Sequence, residues 1–596
     1  MQAEKVVKEI FTAYESGKEF KEKLGKKGMF EQNKINERFF RGDQWHGAKC
    51  GNLPLVRHNI IKRIGDYKVA NISANPISVA FSAEGIANTV KSNEQIKENL
   101  ILAAEGNMQL NITDEGQAAE PNEINFVMSA LSEYFDTTAE RLKFETLKAN
   151  AAEKAFKSGT AILYSYWDNS IETGLYVDSQ NMSQIIGDVN CKLINVENFY
   201  VENVFETDLQ KQEYIIISSR ESVASLKREA KANGISASVI ENIKADDGDI
   251  NYGAGDVSEE QKADLKLATV LTKFWFKENE NGKRTVHAIK VVNGATIRKE
   301  WDTRLKRYPF SVFRWEEMES SFYGDSEVTY LVPNQIAINR MLSSCVWAAI
   351  LQGMPIAVVN GNVVDLKNKP ITNEPGQIIS AASDDLRNVM SYINPPNISG
   401  DFINASQSII TNTLEQSGAN NAALGNIRPD NMSAIIAVRE AALQPLQTLQ
   451  NKFYQFCEDT ARNWAEYWIN YYGTRKIKIK DNAGTWYLPI NADRYQNLLI
   501  SAKVDVGPAS LYSEIQTVQT LDNLLNRGAL TLLQYLERMP KGYVPDLQKL
   551  IDELKAAQST PTPTLPTDTP TSVSQGEGGI PSEENILSDN AEEMPI

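Results

Sequence analysis

Between Ile60 and Phe81 the chain changes its period. From Ile60 to Val69 the apolar residues keep the spacing of one helical face, and Asn75-Pro76 breaks that helix. Ile77, Val79 and Phe81 then alternate with small or polar residues and predict a strand. Upstream, residues 1–35 read as a charged amphipathic helix. Arg38, Phe39, Phe40, Arg41, Gly42, Asp43, Gln44 and Trp45 form an aromatic and basic segment expected to turn into a Gly/Asn/Pro loop.

Residues 82–122 are polar and weakly periodic, an irregular insertion. One long helix is expected from Ile124 to about Ser158, where Gly159 stops it. Strands follow at Ala161–Trp167 and Gly174–Val177 around a polar turn, and again at Gly187–Val196 and Tyr214–Ser218. Val223–Ala232 reads as a helix ended by Asn233-Gly234. A second β-rich section has strands at Val270–Lys277, Thr285–Val292 and Tyr308–Trp315, with Asn281-Gly282 and Asn293-Gly294 as turns.

Beyond Phe322 the helical period returns. Asp325 or Ser326 is placed to cap a helix with Ile338, Met341, Leu342, Cys345, Val346, Ala349 and Ile350 on one face; Pro333 must start it or kink it. A hairpin of Ile356–Val359 with Val363–Leu366 is expected around Asn360-Gly361. Further helices are expected near Phe402–Gln416 and from Met432 to Tyr472, the latter rich in aromatics. The hairpin Lys476–Lys480 with Thr485–Ile490 follows. Three helices, from Leu511, Leu530 and Asp546, make a small terminal bundle.

Composition changes this picture only at a few points. The chain has 596 residues, is 42% hydrophobic and 23% charged, and carries a net charge of −16. That balance allows a large core and argues against tight phosphate binding over the whole surface. Four well-separated cysteines without CxxC pairing suit a reducing compartment. The uncharged stretch Met341–Val364 is interrupted by Gln352-Gly353 and Pro355, so it is expected to form a buried helix and not a membrane span. After Lys555 no Lys or Arg appears, and 557–596 reads as a disordered acidic tail.

Catalytic chemistry finds little footing. His46, Cys50 and His58 lack the fourth ligand of a structural zinc site. Asp247-x-Asp249-x-Asn251 opens like a calcium loop, but Tyr252 and Ser258 stand where Gly and Glu are needed. With three histidines, and neither a GxSxG nor a Walker A sequence, the expectation is no enzyme, no cofactor and no metal. Lys283, Arg284, Arg298, Lys299, Arg304, Lys306 and Arg307, interleaved with Trp301 and Tyr308, are candidate phosphate contacts; a solvated hairpin face is the equal alternative.

The order of elements from Asn36 to Phe81 resembles the N-terminal region of portal proteins of tailed bacteriophages. Similar pieces occur at 198–230, 307–341, 421–442 and 506–528. The resemblance implies an α+β, mainly helical portal fold with wing, stem, clip and crown regions, assembled as a dodecameric ring around an axial channel. Carried onto this chain, the wing combines 1–235 with 354–505, and 236–265 holds an acidic loop and a candidate first stem helix. The clip is 266–324, the second stem helix 325–353 and the helical crown 506–556. The tunnel loop falls within 391–432, with Arg428 facing DNA. Ser343, Ser344, Ala348 and Ala349 would let neighbouring stems pack closely.

The implied function is a conduit at one capsid vertex for double-stranded DNA during packaging and ejection. Its implied partners are further copies of itself, the major capsid protein, the terminase large subunit, head-tail adaptor or tail proteins, and a scaffolding protein. Nucleation of capsid assembly also follows from the resemblance, as does a place in the virion and, during assembly, in the host cytoplasm. The alternative is another phage head or tail structural protein without a DNA conduit; a metal-dependent enzyme is a distant third.

Overall fold

A computed structural model describes residues 2–49, 53–83, 121–176, 184–246, 266–278, 284–319, 321–353, 356–360, 390–393, 400–419, 432–472, 474–481, 484–491, 500–506 and 511–539, with scattered single positions elsewhere. The chain divides into two compact units, Met1–Ala509 and Ser510–Ile596. The first opens with helices α1 (Gln2–Lys23), α2 (Met29–Arg41) and α3 (Ile60–Ser73), then strand β1 (Ile77–Ala83). Helices α4 (Pro121–Arg141) and α5 (Phe144–Ser158) lead into β2 (Thr160–Tyr176), β3 (Gln184–Ile194), β4 (Phe199–Val201) and β5 (Tyr214–Ser222). Next come α6 (Val223–Ala232), α7 (Ala237–Glu241), β6 (Leu267–Glu278), β7 (Arg284–Val292), β8 (Ala295–Asp302) and β9 (Phe310–Arg314). The rest of this unit is α8 (Glu327–Gly353), β10 (Ile356–Val359), β11 (Met390–Ile393), α9 (Gly400–Gln416), α10 (Met432–Tyr471), β12 (Thr474–Asp481), β13 (Gly484–Asn491) and β14 (Ile500–Val506).

The change of period at Asn75 is reproduced. Asn59 caps α3 by accepting from the Lys62 N–H at 3.1 Å, and Ile77, Val79 and Phe81 are buried with exposed residues between them. The basic-aromatic segment Arg38–Arg41 is the last turn of α2 and not a loop. Gly42 ends that helix in the left-handed region (φ +90°), which leaves Phe40 inside against Phe156.

The expected single helix from Ile124 to Ser158 is two. Lys143 takes φ +51° between α4 and α5, and this offset swings Phe144 against Phe135 and Trp464, at ring distances of 6.0 and 5.2 Å. The polar turn expected after Trp167 is likewise absent. β2 runs on for 17 residues, and its register to β3 shifts between Asp168 and Glu172 and again before Tyr176. Bulges absorb the polar residues that the sequence pattern assigned to a turn.

Among the described residues the strands form five antiparallel sheets. β3-β2-β9 has three strands and β4-β5-β6-β7-β8 has five, while β1-β14, β10-β11 and β12-β13 are pairs. Strands β6–β8, from the section expected to stand apart at 266–324, extend a sheet begun by β4 and β5. β9 belongs to the other sheet, beside β2. Aromatic residues of α10 fill the space beneath: Phe453 meets Phe313 at 5.1 Å, and Trp464 meets Phe135 at 5.1 Å.

Helix α8 is bound to the N-terminal block through a polar face. Gln335 Oε1 accepts from the Ile60 N–H at 3.0 Å, and Gln335 Nε2 donates to His58 O at 2.6 Å. Asn339 Oδ1 accepts from the His58 N–H and Ser343 Oγ from the Val56 N–H, both at 3.1 Å. Trp45 Nε1 holds the same strand from its other end by donating to Val56 O at 3.0 Å. Pro333 lies inside α8 without ending it, and Ser326 accepts from the Val328 N–H at its start.

The hairpin expected at Ile356–Val359 with Val363–Leu366 does not form. β10 pairs instead with β11, some thirty residues farther on, in the register Ile356↔Ile393. Asn334, early in α8, donates to Thr413, late in α9, at 3.2 Å. The two helices are therefore antiparallel, with the β10-β11 pair between their far ends. In the second unit, α11 (Leu511–Asn526) and α12 (Leu532–Glu537) are joined by Tyr535 donating to Asp522 at 2.6 Å, and Thr531 with Gln534 forms a capping box. Most of the third helix expected from Asp546, the irregular insertion and the acidic tail fall outside the described residues.

Two substitutions test this frame by chemical unfolding. Gln335→Ala removes the side-chain partner of both the Ile60 N–H and His58 O and is expected to cost about 2 kcal/mol. Gly159 has φ +79°, and a Cβ there would lie 2.2 Å from Gly324 O. Gly159→Ala is therefore expected to cost about 3 kcal/mol or more; a wild-type urea midpoint for either variant would contradict the packing described.

Candidate nucleic-acid and assembly interface

The basic residues singled out from the sequence sit on β7, β8 and the following loop, and the fold treats them differently. Arg284 lies over the Phe276 ring at 3.7 Å and Arg298 over Trp301 at 3.9 Å. Lys299 is exposed on β8. Arg304 adopts φ +57°, and its N–H donates to Asp302 at 2.7 Å. Arg307 Nη2 reaches Asp459 on α10 at 3.2 Å, a carboxylate that also accepts from Arg462. Lys283 and Arg428 lie outside the described residues.

Glu466, also on α10, fixes the same loop by accepting from the Lys306 N–H at 3.1 Å. Burial pushes its carboxyl up to about 7, against the pull of Arg307. The tract 302–307 is thus stapled to α10 at three points, with Tyr471 donating to Thr303 O as the third, and Arg307 spends its charge inside the protomer. Arg284, Arg298 and Lys299 keep theirs accessible. A sequence pattern of alternating basic and aromatic residues cannot separate these roles, because Asp459 and Glu466 are more than 150 positions away.

Among the four proposed stem-packing residues, Ser343 is fully buried and accepts from the Val56 N–H within its own chain. It is not free to face a neighbour. Ser344 and Ala349 are exposed and Ala348 is half-buried. Of the apolar face expected along α8, Ile338 is buried, whereas Met341, Leu342 and Cys345 are only half-covered. Val346 and Ile350 are 40% and 42% exposed.

This bareness is local. Among the described residues 14 large hydrophobic side chains are exposed, and six cluster on one excursion of the chain: Val346, Ile350, Val358, Tyr392, Phe402 and Ile403. They occupy the end of α8, the β10-β11 pair and the start of α9. Isolated exposed apolar residues are ordinary, but a concentration on one protrusion marks a contact surface. No described helix is long and apolar enough to cross a membrane.

No metal-ligating group of three or more His, Cys, Asp or Glu side chains occurs among the described residues. His46 sits 3.5 Å from Asp43, while His58 contributes its backbone to the contact with α8. Cys50 and Asp247–Asn251 lie outside the described residues. What the sequence reading missed was the polar face Gln335, Asn339, Ser343. Its spacing of four is visible in the sequence, where Ser343 is assigned to packing between neighbouring stems and Gln335 and Asn339 are given no role.

Comparison with known proteins bears directly on this arrangement. No curated protein sequence matches the chain. The family described as Phage SU10 portal protein matches residues 176–478, just over half of the chain. That span includes the five-stranded sheet, β3 and β9 of the three-stranded one, the bare excursion and all of α10. The chain belongs to this phage portal protein family, a structural one.

Proposed function

We propose that the protein forms a closed ring at one capsid vertex and serves as the conduit for double-stranded DNA during packaging and ejection. The observation that carries this reading is the bare apolar excursion from α8 through β10-β11 to α9. A charge-free helix end with Val346 and Ile350 open to solvent is costly for an isolated protomer, at about 1 kcal/mol or more per side chain. Repeating one patch around a closed ring covers it on every copy. Twelve copies, as in the resemblance drawn above, would suit this task.

The regions are best redrawn around the same excursion. α8 and α9 run antiparallel and are joined at their far ends by β10-β11, as a pair of stem helices carrying a narrow tip would be. On this assignment the stem pair is 327–353 and 400–416, and 354–399 takes the place of the clip. The β-rich 266–324 then remains with the wing, because it shares sheets with β2, β4 and β5. The remaining wing elements, the helical crown at 506–556 and the tunnel loop now narrowed to 417–431 keep their places. Arg428 remains the candidate DNA-facing charge in that loop, and Ser344, Ala348 and Ala349 remain the stem contacts.

From this follow the further roles: docking of the terminase large subunit and later of head-tail adaptor or tail proteins at the tip, contact with the major capsid protein, and nucleation of capsid assembly with a scaffolding protein. The virion is the corresponding location, with the host cytoplasm as the place of assembly. DNA would pass without sequence specificity. A protein of net charge −16 holds a sliding polyanion only weakly.

Two measurements test the reading. Purified wild-type protein is expected to give rings with a central hole in negative-stain images and a multi-subunit mass by light scattering. A stable monomer at high concentration, with no rings, would remove the basis for it. Ile350→Glu combined with Val346→Asp is expected to leave the thermal midpoint of the protomer nearly unchanged while lowering the oligomer fraction at least tenfold.

A further inference from the structure

A cleft of about 780 Å³ opens between the two larger sheets, a volume in the range of small-molecule sites. Its walls are aromatic. Tyr164, Tyr166 and Trp167 come from β2, Trp301 from β8, and Tyr467 and Tyr471 from α10. Tyr164 and Tyr166 stack at 5.4 Å, and Trp167 stacks on Tyr471 at 5.1 Å. Tyr467 and Tyr471 are fixed by donating to Ser165 O and Thr303 O at 3.0 and 2.9 Å. Burial raises the Tyr164 hydroxyl above its ordinary value; the neighbouring hydroxyls of Tyr471 and Tyr166 add to this and Arg298 opposes it.

Charge in the cleft is unevenly used. Its cations are Lys154, Lys192, Lys290 and Arg298, and its carboxylates are Glu221 and Glu229. Lys290 takes both carboxylates, at 3.1 and 2.8 Å. Lys154 donates to the Asn195 side chain at 2.6 Å, and burial lowers its pKa. Lys192 and Arg298 are exposed, with no carboxylate partner among the described residues. Arg298 lies over Trp301 at 3.9 Å, and a guanidinium can stack on a further planar group.

A bare anion would leave the rings unused, and an apolar ligand would leave the exposed charges of Lys192 and Arg298 unmatched. Stacking surfaces beside free Arg and Lys charges suit a flat ring carrying a phosphate. We propose that this cleft binds a nucleotide, its base layered on Arg298 and Trp301 and its phosphate held by Lys192 and Lys154. The nucleotide is either free in solution or the unpaired end of a strand. This site lies within one protomer and does not depend on passage of duplex DNA through a ring.

Isothermal titration of the full-length protein with dAMP, with a six-residue oligo-dA, and with adenosine and inorganic phosphate as controls tests the proposal. Saturable binding of one dAMP per chain is expected, tighter than either control and weakened at least tenfold in Arg298→Ala/Lys192→Ala. Both side chains are exposed, so that variant should keep the wild-type melting midpoint, and Arg298→Lys should recover part of the affinity. Tighter binding of the oligonucleotide than of dAMP identifies a strand end as the source; the reverse identifies the free nucleotide. Three results would overturn the proposal. One is no saturation with either nucleotide probe at millimolar concentration, and another is unchanged affinity in the folded double variant. The third is displacement of dAMP by a Glu-rich, Trp-containing peptide that binds more tightly. Ring formation, read from images of the same preparations, is unaffected by any of them.

Discussion

An extended segment and a helix meet in this protein at matching intervals, and much else hangs on that match. Gln335, Asn339 and Ser343 are spaced by four on α8, a rise of about 6 Å per step. The backbone N–H groups they receive, at Ile60, His58 and Val56, are spaced by two along the segment that leads into α3. Each of the three side chains thus meets a backbone donor, which removes part of the penalty for covering this segment. The consequence is a firm bond between the N-terminal block and a helix nearly 300 positions away.

With its first half held this way, α8 can leave its second half bare. Lys68 and Trp315 strengthen the held end, both donating to Glu327, at 2.6 and 2.9 Å. The aromatic interior around Trp464 gives the other elements a common wall, so the protomer has a firm body and an exposed apolar excursion. That asymmetry is what the assembly reading requires. It also explains why α8 contributes little to its own chain beyond Ser343, although its sequence is apolar to the end.

Much of the architecture was legible in local patterns. The helical face from Ile60 and the alternation of Ile77, Val79 and Phe81 were plain. So were the hairpin turn at Asn293-Gly294, where Gly294 has φ +77°, and the near-complete extent of α10. Misreadings arose where tertiary contacts overrode a local signal. Lys143 breaks a helix because Phe144 has to reach Trp464, and a continuous strand absorbs Asp168–Thr173 through bulges. β10 chose β11 over the nearer Val363–Leu366, since a turn signal at Asn360-Gly361 does not specify which strand returns.

The candidate site divides in the same way. The residue types were present in the sequence: basic residues among aromatics, small residues on an uncharged helix, and a change of period that resembled portal proteins. Those features determined the family and the α+β class, because periodicity and turn chemistry act over a few residues. Which charges stay free, which serine is internal and which apolar surface remains uncovered were decided only by the tertiary structure. Arg307 meets Asp459, Ser343 meets Val56, and Ile350 stays 42% exposed; each outcome depends on the fold across long stretches of sequence.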